Sequence, residues 1–161
     1  MTATINKKYL SLISISLFIW LSGIIITPIL ASSNIRLLST LSSFMYFFYQ
    51  PVCHQLAERS LLVDQIPMAV CIRCFAVYLG GWLVSILYFR FNTITFWPMR
   101  KYLLFLIPAL MDFIFEKVHF YSNIGLIRFG TGLLLGIVIF QLLILSTASF
   151  QNSPESKSIK I

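Results

Sequence analysis

Apolar residues fall in four long runs along the chain, at 9–30, 74–89, 102–121 and 126–145, with short polar breaks between them. A helix needs about 20 apolar residues to cross the hydrocarbon core of a bilayer, and three of the runs meet that length. The run at 74–89 is shorter and is extended by its flanks. A fifth segment, 35–50, has a different pattern. Arg36, Ser39, Thr40 and Ser43 line one helical face of its first half, and Phe44, Tyr46, Phe47, Phe48 and Tyr49 crowd its second half. Polar on one side and aromatic at one end, it suits an interfacial or re-entrant helix better than a span. Ser32-Ser33-Asn34 offers side-chain acceptors to start it, and Pro51 ends it.

The first run follows Lys7 and Lys8 and ends at Ala31-Ser32-Ser33, which also resembles a signal-peptide cleavage site. Its length exceeds the roughly 7–15 apolar residues of a signal peptide core, so it is expected to be a retained span. Pro108 predicts a kink in the run at 102–121. Ser122-Asn123-Ile124-Gly125 reads as a tight turn, and 146–161 as a disordered polar tail. The predicted architecture is therefore all-α: a single domain over 1–145, with four transmembrane helices and one interfacial or re-entrant helix.

Composition agrees with that pattern. Hydrophobic residues make up 58% of the 161 positions and charged residues only 11%, more apolar surface than a water-soluble domain can bury. The net charge of +7 invites a nucleic-acid reading. The basic residues are scattered at the ends of apolar runs, however, which fits contact with anionic lipid and argues against nucleic acid. With four spans, Lys7, Lys8, Arg90, Arg100, Lys101, Lys157 and Lys160 share one side, and Arg36, Arg59 and Arg73 the other. The positive-inside rule then puts both termini in the cytoplasm and segment 53–74 at the outer face of the cell membrane.

Candidate chemistry concentrates in 53–74. Cys53, His54, Cys71 and Cys74 supply three thiols and an imidazole, a usual complement for zinc, with a two-residue gap inside Cys71-x-x-Cys74. A C-x-x-C at a helix N-terminus beside Arg73 is also a redox arrangement, so a membrane thiol–disulfide oxidoreductase is a second reading. It is weakened because Cys53 has no second cysteine with which to relay electrons. In the run at 102–121, Asp112, Glu116, His119 and Asn123 recur at i, i+4, i+7 and i+11 and so share one helix face. Arg128 enters the next run at the same level. Asp112, Glu116, His119 and Arg128 are the candidate catalytic or binding groups, because ionisable side chains inside a bilayer face the bundle interior. The plainer alternative makes Asp112 or Glu116 an ion-pair partner of Arg128 that keeps three helices in register. Glu116-x-x-His119 has no second Glu-x-x-His and does not make a di-iron site. Gly80-Gly81 and Gly132-x-x-x-Gly136 are small-residue faces for close helix approach.

Pro51-Val52-Cys53-His54-Gln55, Glu58-Arg59-Ser60 and Cys71-x-Arg73-Cys74-x-x-x-Tyr78-x-Gly80 resemble a family of small prokaryotic multi-pass membrane proteins, a domain of unknown function numbered two thousand and eighty-five. Asp112, Ser122-Asn123 and Arg128-x-x-Thr131-Gly132-x-x-x-Gly136 are similar to its second block. Phe75-Ala76 stands where the family usually has Thr-Gly, and Glu116 where it tends to have Gln. The resemblance implies a prokaryotic membrane protein and supplies no activity. The expected functions are a zinc-stabilised membrane protein with a pocket for a small-molecule or lipid-like ligand, the oxidoreductase, or a non-catalytic subunit or transporter component.

Overall fold

A computed structural model describes residues 2–3, 6–91, 94–95, 97–118 and 124–151. Five α-helices make up most of it: α1 (Lys7–Ala31), α2 (Arg36–Tyr49), α3 (Ile72–Phe91), α4 (Met99–Lys117) and α5 (Gly125–Gln151). Two antiparallel pairs of two-residue strands join them. β1 (Thr2–Ala3) pairs with β4 (Ile94–Thr95), and β2 (Leu62–Val63) with β3 (Ile66–Pro67). The β2–β3 turn places Asp64 and Gln65 at φ 49° and 65°, the left-handed pair of a tight two-residue hairpin.

Among the described residues, three helices are long and apolar enough to cross a membrane: α1, α3 and the Gly125–Ser149 part of α5. Helix α4 has 19 residues, about 28 Å at 1.5 Å per residue, but carries Arg100, Lys101, Asp112, Glu116 and Lys117. Its charge separates it from the other three. Pro108 lies inside α4, and the described helix ends at Lys117 rather than near Tyr121. Glu116 therefore sits in the last turn of α4.

At the other end of the chain the structure corrects the expected tail. Ser146 to Gln151 continue α5. The Thr147 hydroxyl donates to the Leu143 carbonyl at 2.8 Å, and Ala148 is fully buried, so these residues stay in the helix despite their polarity.

The direction of each helix follows from its contacts. Leu10 of α1 packs with Val84 and Ile144, while Trp20 stacks near Tyr78 with ring centroids 5.6 Å apart. Rising numbers in α1 meet falling numbers in α3, so the two are antiparallel. Gly132 faces Arg73, Gly136 faces Val77, and Ile144 meets Val84, which makes α3 and α5 parallel neighbours. Helix α4 returns antiparallel to α5, with Asp112 beside Thr131 and Glu116 beside Arg128.

Helix α2 folds back along the second half of α1. The Ser42 hydroxyl donates to the Thr27 carbonyl at 2.9 Å, and the Tyr49 hydroxyl to the Trp20 carbonyl at 3.1 Å. Thr40 and Ser43 turn their hydroxyls onto the carbonyls of Arg36 and Ser39, which satisfies those groups without water. At 14 residues, about 21 Å, α2 is too short to span and lies against the bundle as the amphipathic pattern predicts.

The α3–α5 contact depends on missing side chains. A Cβ at Gly132 would lie 2.6 Å from the Arg73 carbonyl oxygen, and one at Gly136 would overlap the Val77 carbonyl. A Cβ at Gly130 meets nothing within 4 Å. Gly136→Ala must push the two helices apart and should cost about 1–3 kcal/mol of stability. Gly130→Ala should change stability by less than about 0.5 kcal/mol. Thermal unfolding of both variants in the same detergent checks the contrast.

Candidate functional site

The first turn of α3 serves two clusters. Cys71 caps the helix, its carbonyl accepting from the Phe75 N–H at 3.0 Å. At 3.6 residues per turn, Cys71 and Cys74 project ~60° apart, whereas Arg73 points ~160° from Cys71 and ~100° from Cys74. The cysteines thus face the loop that follows α2, and Arg73 faces α4 and α5.

On the cysteine side, the loop returns Cys53 to the start of α3. The Cys53 N–H donates to the Tyr49 carbonyl at 3.2 Å, so the loop leaves α2 with one further turn. Gln55, at φ 51°, reverses the chain and donates from Nε2 to the Tyr46 carbonyl at 2.7 Å. The Tyr46 hydroxyl donates to the Pro67 carbonyl, pinning the hairpin to α2. Met68, Ala69 and Val70 are buried against Ile24 and Tyr49. Each of these contacts fixes the loop backbone, and together they bring three free thiols into one group.

The Sγ atoms of Cys53, Cys71 and Cys74 all lie within 4.8 Å of one another. Cys53 is buried, and its sulfur accepts from the Cys71 backbone N–H at 3.2 Å. Hydrogen bonds from the Cys71 and then the Cys74 thiol push the Cys53 thiol well below the ordinary range, despite the opposing effect of burial. Three thiols this close together are a metal-ready donor set once deprotonated. Tetrahedral zinc–thiolate bonds of about 2.3 Å set sulfurs about 3.8 Å apart, a spacing within the limit that this trio meets. The residues fit a metal.

His54 is exposed and does not join the three sulfurs within that distance. It lines a cavity of about 300 Å³ with Cys53, Cys71, Cys74, Gln55 and Arg59. The fourth expected ligand therefore lines the same cavity as the thiols without joining their cluster.

On the arginine side, Glu116 is the centre. Its Oε1 meets Arg128 Nη2 at 2.7 Å and Arg59 Nη1 at 3.0 Å, and its Oε2 meets Arg73 Nη2 at 3.0 Å. Arg73 Nη2 also pairs closely with Asp112 Oδ2, which accepts from the Thr131 hydroxyl at 3.0 Å. Asp112 and Arg128 are each only 4% exposed, so these are desolvated charges whose partners are obligatory. The structure brings Asp112, Glu116 and Arg128 together. His119 and Asn123 lie outside the described residues.

The sequence reading did not place Arg59, Arg73 and Thr131 in this layer. Helical angle offered a signal for Arg73, because a residue between two cysteines that share a face must point elsewhere. Arg59 gave no such signal, since it sits on the short 3₁₀ turn Ala57–Arg59 and its direction depends on the loop.

Breaking this layer at its centre should be costly. Glu116→Gln leaves three guanidinium groups with one carboxylate fewer, and should lose about 3–5 kcal/mol in thermal or denaturant unfolding. Arg59→Gln removes a partner that is 44% exposed, and should cost no more than about 1 kcal/mol. Equal losses in the two variants would contradict the ranking.

Residues 53–142, which include both clusters, match the family described as a predicted membrane protein, DUF2085. An uncharacterized protein of Methanocaldococcus jannaschii is 30% identical over 143 residues, spanning 85% of this chain and 92% of that protein. No solved structure matches. The match over more than half of the chain, with the full-length relative beside it, places this protein in the DUF2085 family of predicted membrane proteins.

Proposed function

We propose that this is a four-span membrane protein in which Cys53, Cys71 and Cys74 hold a zinc ion at the outer end of the bundle. Helix α4 is the fourth span, and both termini are cytoplasmic. Its length of about 28 Å suits a core of about 30 Å, and Leu103, Ile107, Leu110 and Phe113 are exposed along it as a lipid-facing surface. Its carboxylates turn inward to the arginines, as charges in a span must.

One observation carries the metal assignment: three thiols from two separate segments converge to within 4.8 Å of one another. A bound zinc would supply a strong cross-link between the loop and α3, and Lewis acidity where a coordination position is free. His54 lines the same cavity and is the residue that would close the set as a structural site. The chain's own residues then have distinct tasks. The thiolates hold the ion. The loop from Pro51 to Val70 acts as a lid, and the Glu116 layer beneath it forms a polar site for a small-molecule or lipid-like ligand.

Metal content decides this reading. Protein purified without chelators should carry one zinc per chain, and Cys53→Ser should lose most of it together with thermal stability. His54→Ala separates a closed site, in which it weakens zinc retention, from an open one, in which it does not. Substoichiometric zinc in the wild type, with Cys53→Ser unchanged in stability, would falsify the assignment. A Cys71–Cys74 disulfide that forms and reverses quantitatively would point to thiol redox chemistry instead.

A further inference from the structure

A groove of about 460 Å³ opens between α4 and the α3–α5 pair, away from the cysteines. Leu103, Leu106, Ile107, Leu110 and Phe113 of α4 form one wall, and Leu135 of α5 contributes to the other. The polar lining residues are Arg73 and Thr131, both at the thiol end of the bundle. The groove exists because α4 is tied to its neighbours at that end by the Glu116 layer, while Asp112 is the buried residue of the whole helix.

We propose that this groove is a binding site for one anionic glycerophospholipid from the leaflet on the thiol side. Its acyl chain would lie along α4 and its phosphate would meet Arg73. Three features of the groove select that occupant. From Leu103 to Phe113 the wall runs about 15 Å along the helix, half of a hydrocarbon core of about 30 Å, so its depth is that of one leaflet. Leu103, Ile107, Leu110 and Phe113 are more than half exposed, so the groove is open sideways to lipid. The charged residue among those lining it is basic: Arg73, which is tied through Glu116 to Arg59 and Arg128. Among the described residues, both carboxylate contacts of Arg73 run through Nη2, and Nη1 and Nε are the donors proposed to meet a phosphate oxygen. Arginine at the end of an apolar groove fits a headgroup at the interface and a chain below it.

Native mass spectrometry with equimolar phosphatidylglycerol and phosphatidylcholine tests the proposal on the full chain. Phosphatidylglycerol should bind as a single retained copy, about tenfold more tightly than phosphatidylcholine, the preference expected of one charge-assisted contact. Leu110→Trp fills the groove from a position that is 59% exposed, so the fold tolerates it, and it should abolish that preference. Leu142→Trp, on an exposed site of α5 outside the groove, should leave it intact. Equal retention of the two lipids by the wild type would overturn the proposal. So would a preference that survives Leu110→Trp, because the lipid would then be bound elsewhere. The readout needs no metal, so the outcome is independent of the zinc assignment.

Discussion

Helix α4 is held in the bundle by charge. Among its nineteen residues the buried one is Asp112, and the large apolar side chains around it look outward. Were α4 the fourth span proposed above, apolar contact could not select its position, because the hydrocarbon offers the same surroundings on every side. The Glu116 carboxylate supplies that position by meeting arginines from α3, α5 and the loop at once. Each of these ions is expensive to place away from water, and each is tolerable because the others are there.

The first turn of α3 carries this constraint to the other side of the molecule. Cys71 and Cys74 face the returning loop while Arg73, between them in sequence, joins the carboxylates. A shift or rotation of that turn cannot favour one cluster without disturbing the other. Close packing removes the remaining freedom, since Gly132 abuts the Arg73 carbonyl and Gly136 the Val77 carbonyl. The thiol group, the ion layer and the glycine contact thus fix one helix end three times over.

Much of this was legible in the sequence, and the rest was hidden for definable reasons. Periodicity located α1, α3 and α5, identified α2 as a short amphipathic helix, and put Asp112 and Glu116 on a common face toward Arg128. It could not set helix ends. Ser146 to Gln151 look polar, yet Ala148 packs in the core, and the hydroxyl of Thr147 is satisfied within the helix. Arg59 and Arg73 escaped because a residue's neighbours in the chain do not reveal its partners across a bundle. Proximity in sequence puts His54 on the cavity of the thiols but does not set its distance from them. It adjoins Cys53, but the reversal at Gln55 leaves its ring exposed beside the thiols.

The central claim is that three cysteines from two segments form one metal centre on the turn that also anchors the ion layer. Zinc K-edge X-ray absorption on the purified protein addresses it most directly. The account predicts a shell of three sulfurs at about 2.3 Å, with the remaining position taken by a nitrogen or oxygen at about 2.0–2.2 Å. A zinc environment of nitrogen and oxygen alone, with no sulfur shell, would contradict it.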